Sequence, residues 1–179
     1  MSQVETCGET IDVAVVGAGP AGLGAGLYAA RAGLRTVVFG DRYESQLARA
    51  ESVENYPTQI EPLSGIELIE MLARHAGKFQ ASFDEQEIRQ IRREGDRFHL
   101  FTSGGECRPA YAVILAMGTQ RRQLGVPGET EYYGRGVAYC TICDGPLFRN
   151  LPVSVIGQGE EGAAAALRMS TIASSVDLI

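Results

Sequence analysis

The chain has 179 residues, of which 45% are apolar and 21% charged, enough to bury a core in one large domain or two small ones. Its 22 acidic residues against 16 Lys and Arg leave a net charge of -6, which gives no electrostatic basis for holding a nucleic-acid backbone. Of the four cysteines only Cys140 and Cys143 form a motif, and a single C-x-x-C fits redox use in a reducing compartment better than a disulfide scaffold.

Met1 to Thr10 carry neither the basic start nor the apolar run of a secretion signal, so the chain reads as cytoplasmic. Ile11 to Val16 is a short β-rich apolar run, as expected of a strand buried on both faces of a parallel sheet. Gly17, Ala18, Gly19, Pro20, Ala21 and Gly22 follow at once, and a helix is expected to about Ala32 with Gly33 at its end. Val13 to Ala30 is uncharged and long enough to suggest a membrane span. Its five glycines and Pro20 instead predict a strand, a turn and a packed helix. Thr36 to Phe39 is the next strand, and residues 40–62 look polar and irregular.

Ser64 and Glu67 form a capping box, opening a helix expected to bury Leu68, Leu72, His75 and Phe79 on one stripe. From Glu87 to Leu115 short strands are expected, with turns at Gly95-Asp96 and Gly104-Gly105. Arg89, Arg92, Arg93 and Arg97 read as the solvated face of that hairpin. A loop with Gly125, Pro127 and Gly128 marks a domain boundary nearby. A second β-turn-α-β unit begins at Val153, with its glycine turn at Gly157, Gly159 and Gly162, an alanine-rich helix and a last strand over 176–179.

The first glycine turn sits between a buried strand and a helix, the context in which G-x-G-x-x-G binds a dinucleotide. The helix N-terminus supplies free N–H groups and a positive dipole end to a pyrophosphate, and Pro20 suits the first helical turn. Asp41, about 20 residues on, is the candidate for the ribose hydroxyls. The second turn carries Glu160 and Glu161 where a pyrophosphate would sit, so nucleotide binding there competes with a purely structural role. Cys140 and Cys143 can close a small disulfide ring; a helix beginning at Cys143 would favour its thiolate, and Asp144 is placed to move a proton. A zinc half-site is the rival reading. It is disfavoured because zinc wants four ligands, while Cys7 and Cys107 look like isolated ordinary thiols and His75 and His99 lie in unrelated elements.

The order of these pieces resembles the low-molecular-weight thioredoxin reductases, a family of FAD-dependent pyridine nucleotide-disulfide oxidoreductases. The carrying motifs are the early G-A-G-P-A-G, Val53-Glu54-Asn55-Tyr56-Pro57, Ala116-Met117-Gly118-Thr119, Leu124 to Gly128, and Gly136 to Gly145 with C-T-I-C-D-G. The resemblance implies an α/β protein with two Rossmann-like dinucleotide-binding domains in three layers, the second incomplete. It implies an FAD domain over residues 1–114 without its returning C-terminal segment, and a partial NAD(P)H domain over 115–179 that carries the dithiol. Gly17 to Gly22 would hold the FAD pyrophosphate, Gln46, Leu47 and Asn55 would lie near the flavin, and Ala116 and Gly118 would line the cofactor. Cys143 would face the flavin, Cys140 would attack the partner's disulfide, and Asp144 would be the acid–base residue. The implied activity moves electrons from NADPH through FAD and the dithiol to a thioredoxin-like protein, in a homodimer. Two alternatives stand beside it: a reductase fed by ferredoxin or another donor, and a flavin-binding module without turnover.

The chain departs from the family pattern at Phe39, at Glu44-Ser45-Gln46-Leu47, at Ala48 to Ser52, at the second glycine turn, and most of all in stopping at Ile179.

Overall fold

The computed structural model describes residues 7–119 and 122–179; the first six residues of the stretch read for a leader lie outside these. Contacts divide the chain into two compact units, Met1–Gln120 and Arg121–Ile179.

The first unit is built on a six-stranded sheet. Its strands are β1 (Ile11–Val16), β2 (Thr36–Phe39), β3 (Ser82–Asp84), β4 (Ile88–Glu94), β5 (Arg97–Thr102) and β6 (Cys107–Leu115), in the spatial order β3-β2-β1-β6-β5-β4. β1, β2, β3 and β6 run parallel, while β4, β5 and the start of β6 form an antiparallel meander. β1 is central and almost wholly buried, because Ala14 and Val15 point to opposite faces and each meets an apolar layer. Val13, Val15 and Val38 pack on one face with Leu23, Ile69 and Ala73 from two helices. Ile11, Ala14, Val16 and Phe39 pack on the other with Leu100 and Ala110, covered by Ile88, Ile91 and Phe98. Fully burying side chains such as Leu23, Ile69 and Phe39 contributes about 1.5–3 kcal/mol each.

The two helices are α1 (Pro20–Arg31) and α2 (Gly65–Lys78). α1 ends as expected, with Gly33 in the left-handed region just past the last turn. Val13 to Ala30 is therefore strand, turn and helix, and among the described residues no helix is long and apolar enough to cross a membrane. α2 opens on the expected capping box: the Glu67 N–H donates to Ser64 Oγ at 3.2 Å, and the Ser64 N–H donates to Glu67 Oε2 at 2.9 Å. The Ser64 hydroxyl, which donates to Glu67 Oε2 at 2.7 Å, and then the Ser64 N–H hold the Glu67 carboxyl below its usual range.

The buried stripe of α2 differs from expectation. Leu68, Ile69, Ala73 and Ala76 are buried, Leu72 is partly so, and His75 is exposed. The small alanines let α2 pack closely against α1, Ala76 beside Ala30 and Ala73 in the cluster of Leu23, and that contact outweighs the alternative stripe through the larger His75. β3 was not foreseen either: three residues are too few to show a period, and pairing with β2 alone makes them a strand.

The arginine-rich hairpin is a solvated face, as expected, with turns at Gly95 and Gly105. Its guanidinium groups lie over aromatic rings of the same meander, Arg92 over Phe101 at 4.8 Å and Arg97 over Tyr111 at 5.3 Å.

The second unit holds β7 (Pro152–Val155), α3 (Gly159–Met169) and β8 (Ser175–Leu178). β7 and β8 pair in parallel with α3 as the crossover, as the glycine turn and the alanine run predict. Residues Leu124 to Arg149 precede this as turns and a short 3-10 segment, Gly145–Phe148.

Candidate functional site

In the first unit, three loops meet at the C-terminal ends of the parallel strands. The Gly17 N–H donates to Phe39 O at 2.9 Å, and the Ala116 N–H donates to Val16 O at 2.8 Å. These bonds bring the first glycine turn beside both Gly40 and Ala116. Gly17 has φ +108°, and a Cβ there would stand 2.6 Å from Ala116 C. A Cβ on Gly22 would overlap the carbonyl oxygen of Gly17, so the third glycine is what lets α1 start against the strand.

The N-terminus of α1 is open. Its cap is Gly19, which offers no side-chain acceptor, and no acid stands in the first turn. The nearest atom to a Cβ built on Gly19 is Ser45 Cβ at 3.7 Å, which leaves room above the turn. First-turn N–H groups without a protein acceptor, and a positive dipole end, make an anion cradle.

The other expected cofactor residues are partly gathered here. The Gln46 side-chain amide donates to the Thr119 carbonyl, tying the loop after β2 to the segment of Ala116 and Gly118. Leu47 packs on the core beneath this loop. One oxygen of Asp41 accepts the Tyr43 N–H at 2.8 Å, capping a single 3-10 turn. Asn55 lies exposed on a separate loop tied down by the Val53–Leu63 bridge. A shallow hollow of about 710 Å³ beside β3, lined by Phe39, Phe83, Asp84 and Arg108 among others, includes none of the expected cofactor residues.

In the second unit Cys140 and Cys143 are joined as a disulfide, with Cα atoms 5.3 Å apart. Cys143 is exposed and Cys140 half-buried. The turn, not a helix, sets their chemistry: Cys143 precedes the 3-10 segment, so no helix begins at it. Instead the Cys143 N–H donates to Cys140 Sγ at 3.1 Å, and the Asp144 N–H donates to the Cys140 carbonyl at 2.9 Å. The acceptor sulfur within the disulfide is thus Cys140.

Glu129, which sequence reasoning passed over, anchors this segment. It is buried, and its carboxylate accepts the N–H groups of Leu124 at 2.8 Å and Gly125 at 2.7 Å and the hydroxyl of Tyr139. The Tyr139 hydrogen bond, first, and the two amides hold the carboxyl below its usual range. The same contact pushes the Tyr139 hydroxyl up to about 12. Tyr139 immediately precedes Cys140, so Glu129 fixes the approach to the dithiol. The only signal for it in the sequence is adjacency to the Leu124–Gly128 loop.

The second glycine turn has the close packing of the first: a Cβ on Gly162 would stand 2.6 Å from Gly157 C. Its helix begins with Glu160 and Glu161, both exposed, and its cap Gln158 makes no side-chain hydrogen bond to the helix.

Two further cysteines change standing. Cys7 and Cys107, expected to be ordinary thiols, form a disulfide across 100 residues, with His99 beside it. The sequence separation hid this pair, which only the pairing of β5 with β6 and the return of residues 7–8 onto β6 assemble.

The fold and motifs define an α/β protein of the nucleotide-binding class that carries a C-x-x-C disulfide. The sequence profile described as Pyridine nucleotide-disulphide oxidoreductase matches residues 11–179, and the chain belongs to this family. It is 43% identical over 169 residues to a thioredoxin reductase of Treponema pallidum (strain Nichols), covering 94% of this chain and 55% of that protein. It is 40% identical over 181 residues to the bifunctional thioredoxin reductase/thioredoxin of Mycobacterium leprae (strain TN), covering 100% of this chain and 40% of the relative. The crystal structure of thioredoxin reductase from Streptococcus pyogenes MGAS5005 superposes with a TM-score of 0.89 at 34% identity, over 94% of this chain and 55% of that one. The chain spans about half the length, or less, of these relatives.

Proposed function

We propose that the protein is the flavin- and dithiol-bearing part of a thioredoxin-disulfide reductase, with FAD in residues 1–114 and NADPH and the dithiol in 115–179. The observation that carries this reading is the Cys140–Cys143 disulfide followed by Asp144, in a member of the disulphide oxidoreductase family whose relatives include thioredoxin reductases. The residues fit FAD: the uncapped, acid-free start of α1 and the open space over Gly19 suit a pyrophosphate. Gly17 to Gly22 would hold it, with Gln46, Leu47, Ala116 and Gly118 around the same turn, Asp41 toward the ribose, and Asn55 near the flavin. When bound, FAD supplies a two-electron relay between the nicotinamide and the dithiol.

The residues of this chain perform the exchange. The Cys140 thiolate, supported by the Cys143 N–H, attacks the partner's disulfide and forms a mixed disulfide, releasing one partner sulfur as thiolate. Cys143 then attacks Cys140 Sγ, which re-forms the intramolecular disulfide and frees the second partner sulfur. Asp144 moves the protons that the two leaving thiolates require. The partner is a thioredoxin-like protein, and the assembly is a homodimer in the cytoplasm.

The test is reconstitution with FAD followed by NADPH titration. The yellow protein is expected to bleach and to reduce a thioredoxin-like disulfide, and Cys143→Ser is expected to abolish turnover. A colourless protein that takes up no FAD would overturn the reading. Glu160 and Glu161 favour a second version, in which ferredoxin or another carrier is the donor. Rapid flavin reduction by NADPH in stopped flow would exclude that version.

A further inference from the structure

We propose that Cys7, Cys107 and His99 form a redox-gated site for a zinc-type divalent cation, closed as a disulfide when oxidised and open to the metal when reduced. Sheet register builds it. Cys107 pairs with Phe101 across the β5–β6 ladder, and Phe101 is two residues from His99, so Cys107 and His99 share one face of the sheet. Cys7 is carried onto the same face by the Gly8 N–H, which donates to Cys107 O at 2.9 Å.

The distances match a metal's needs. His99 Nδ1 lies 3.4 Å from Cys7 Sγ and 3.7 Å from Cys107 Sγ. One donor atom from each residue falls within a 4.8 Å span. Tetrahedral zinc with its usual bond lengths sets a nitrogen–sulfur edge of about 3.6 Å and a sulfur–sulfur edge of about 3.8 Å. The imidazole therefore already stands at ligand separation from both sulfurs, and only the sulfurs must part.

The far side of the ring fits as well. His99 Nε2 is 3.9 Å from Glu94 Oε2, so the tautomer with Nδ1 free for a metal turns its N–H toward a carboxylate. Two thiolates and one imidazole leave a fourth position for water or a substrate atom, as in zinc sites that do chemistry. Cys107 is buried and the other two are half-buried, so the site has a shielded floor and an open side.

The switch balances. A dithiol reductant gives two hydrogens to the Cys7–Cys107 bond, which breaks as a disulfide forms in the reductant. The cation then displaces two protons from the thiols and binds both sulfurs.

Co²⁺ is the probe, with Cys140→Ser/Cys143→Ser as the background so that Cys7 and Cys107 are the only sulfhydryls left among the four cysteines. The protein is reduced with dithiothreitol, desalted without oxygen and titrated. The expected result is one Co²⁺ per chain, a strong sulfur-to-cobalt absorption band, displacement by Zn²⁺, and no band in the oxidised protein. His99→Ala, or His99→Asn where the fold needs the volume, is expected to weaken binding at least about tenfold, and Glu94→Gln by up to about tenfold. Far-UV circular dichroism checks that each variant is folded. The proposal is overturned by a reduced protein without the band, by undiminished binding in both folded His99 variants, or by a band seen in the unsubstituted chain and lost in the double-serine background.

Discussion

The two glycine turns share spacing and close packing and differ in charge. Gly22 lies against the Gly17 carbonyl as Gly162 lies against Gly157, so each turn places its helix against its strand in the same way. At the start of α1 there is no acid, and the loops of Gly40, Gln46 and Ala116 gather round the turn. At the start of α3 two carboxylates stand at the dipole's positive end. The lesson is that G-x-G-x-x-G specifies a backbone shape, while the residues filling its variable positions decide whether an anion is welcome.

The sharpest way to break the comparison is to fill the glycines. Gly22→Ala puts a methyl on the Gly17 carbonyl and is expected to destabilise the first unit by at least about 3 kcal/mol and to abolish FAD retention, read by denaturant unfolding and the visible spectrum. Gly162→Ala is expected to cost somewhat less, because its closest approach is longer, and to leave bound flavin in place. A Gly22→Ala protein that folds and stays yellow would show that the close approach is not required.

Next is the anchor of the dithiol. Glu129→Gln should loosen Tyr139 and slow disulfide exchange several-fold while leaving flavin binding unchanged, measured as turnover against flavin content. Because the Glu129 carboxyl titrates lower in the folded state, its contribution is present above the usual carboxylate range and is lost as pH falls through the lowered value. Tyr139 has the opposite sense: its raised hydroxyl, about 12, keeps its contribution in place below pH about 10, to be lost as pH rises through about 12. Thermal unfolding of wild type and Glu129→Gln at falling pH is expected to converge below the carboxylate range.

The smallest effect sharpens the charge argument. Glu160→Gln/Glu161→Gln should tighten NADPH binding by about threefold to thirtyfold, at about 0.3–1 kcal/mol per carboxylate removed, with a comparable loss of helix stability. Ala21→Glu in the first turn adds one carboxylate and should loosen FAD by about twofold to fivefold. Equilibrium titration of each nucleotide reads both, and an unchanged NADPH affinity would mean that the acids point away from the ligand.

Much of the fold was legible because its signals are local. β1, β2 and the capping box at Ser64 were read at their observed positions, since a buried apolar run, a glycine turn and a serine three residues before a glutamate act within a few residues of chain. The Cys140–Cys143 pair was legible for the same reason, its ring spanning three positions. Sequence period could not choose which stripe of α2 would be buried: Ala73 and Ala76 won over His75 because the close packing of α2 on α1 favours small side chains between the two helices.

The sequence by itself thus determined most of the elements, though not β3, together with the first glycine turn and the C-x-x-C, whose signals lie close along the chain. Only the tertiary structure decided the meeting of Cys7, His99 and Cys107, the role of Glu129 as an anchor, and the closure of Ala116 over Gly17. The cysteine–histidine cluster and the Ala116–Gly17 closure join distant residues through sheet register and loop return, while the Glu129 anchor depends on how one irregular loop turns back on itself; none of these leaves a pattern in the order of residues.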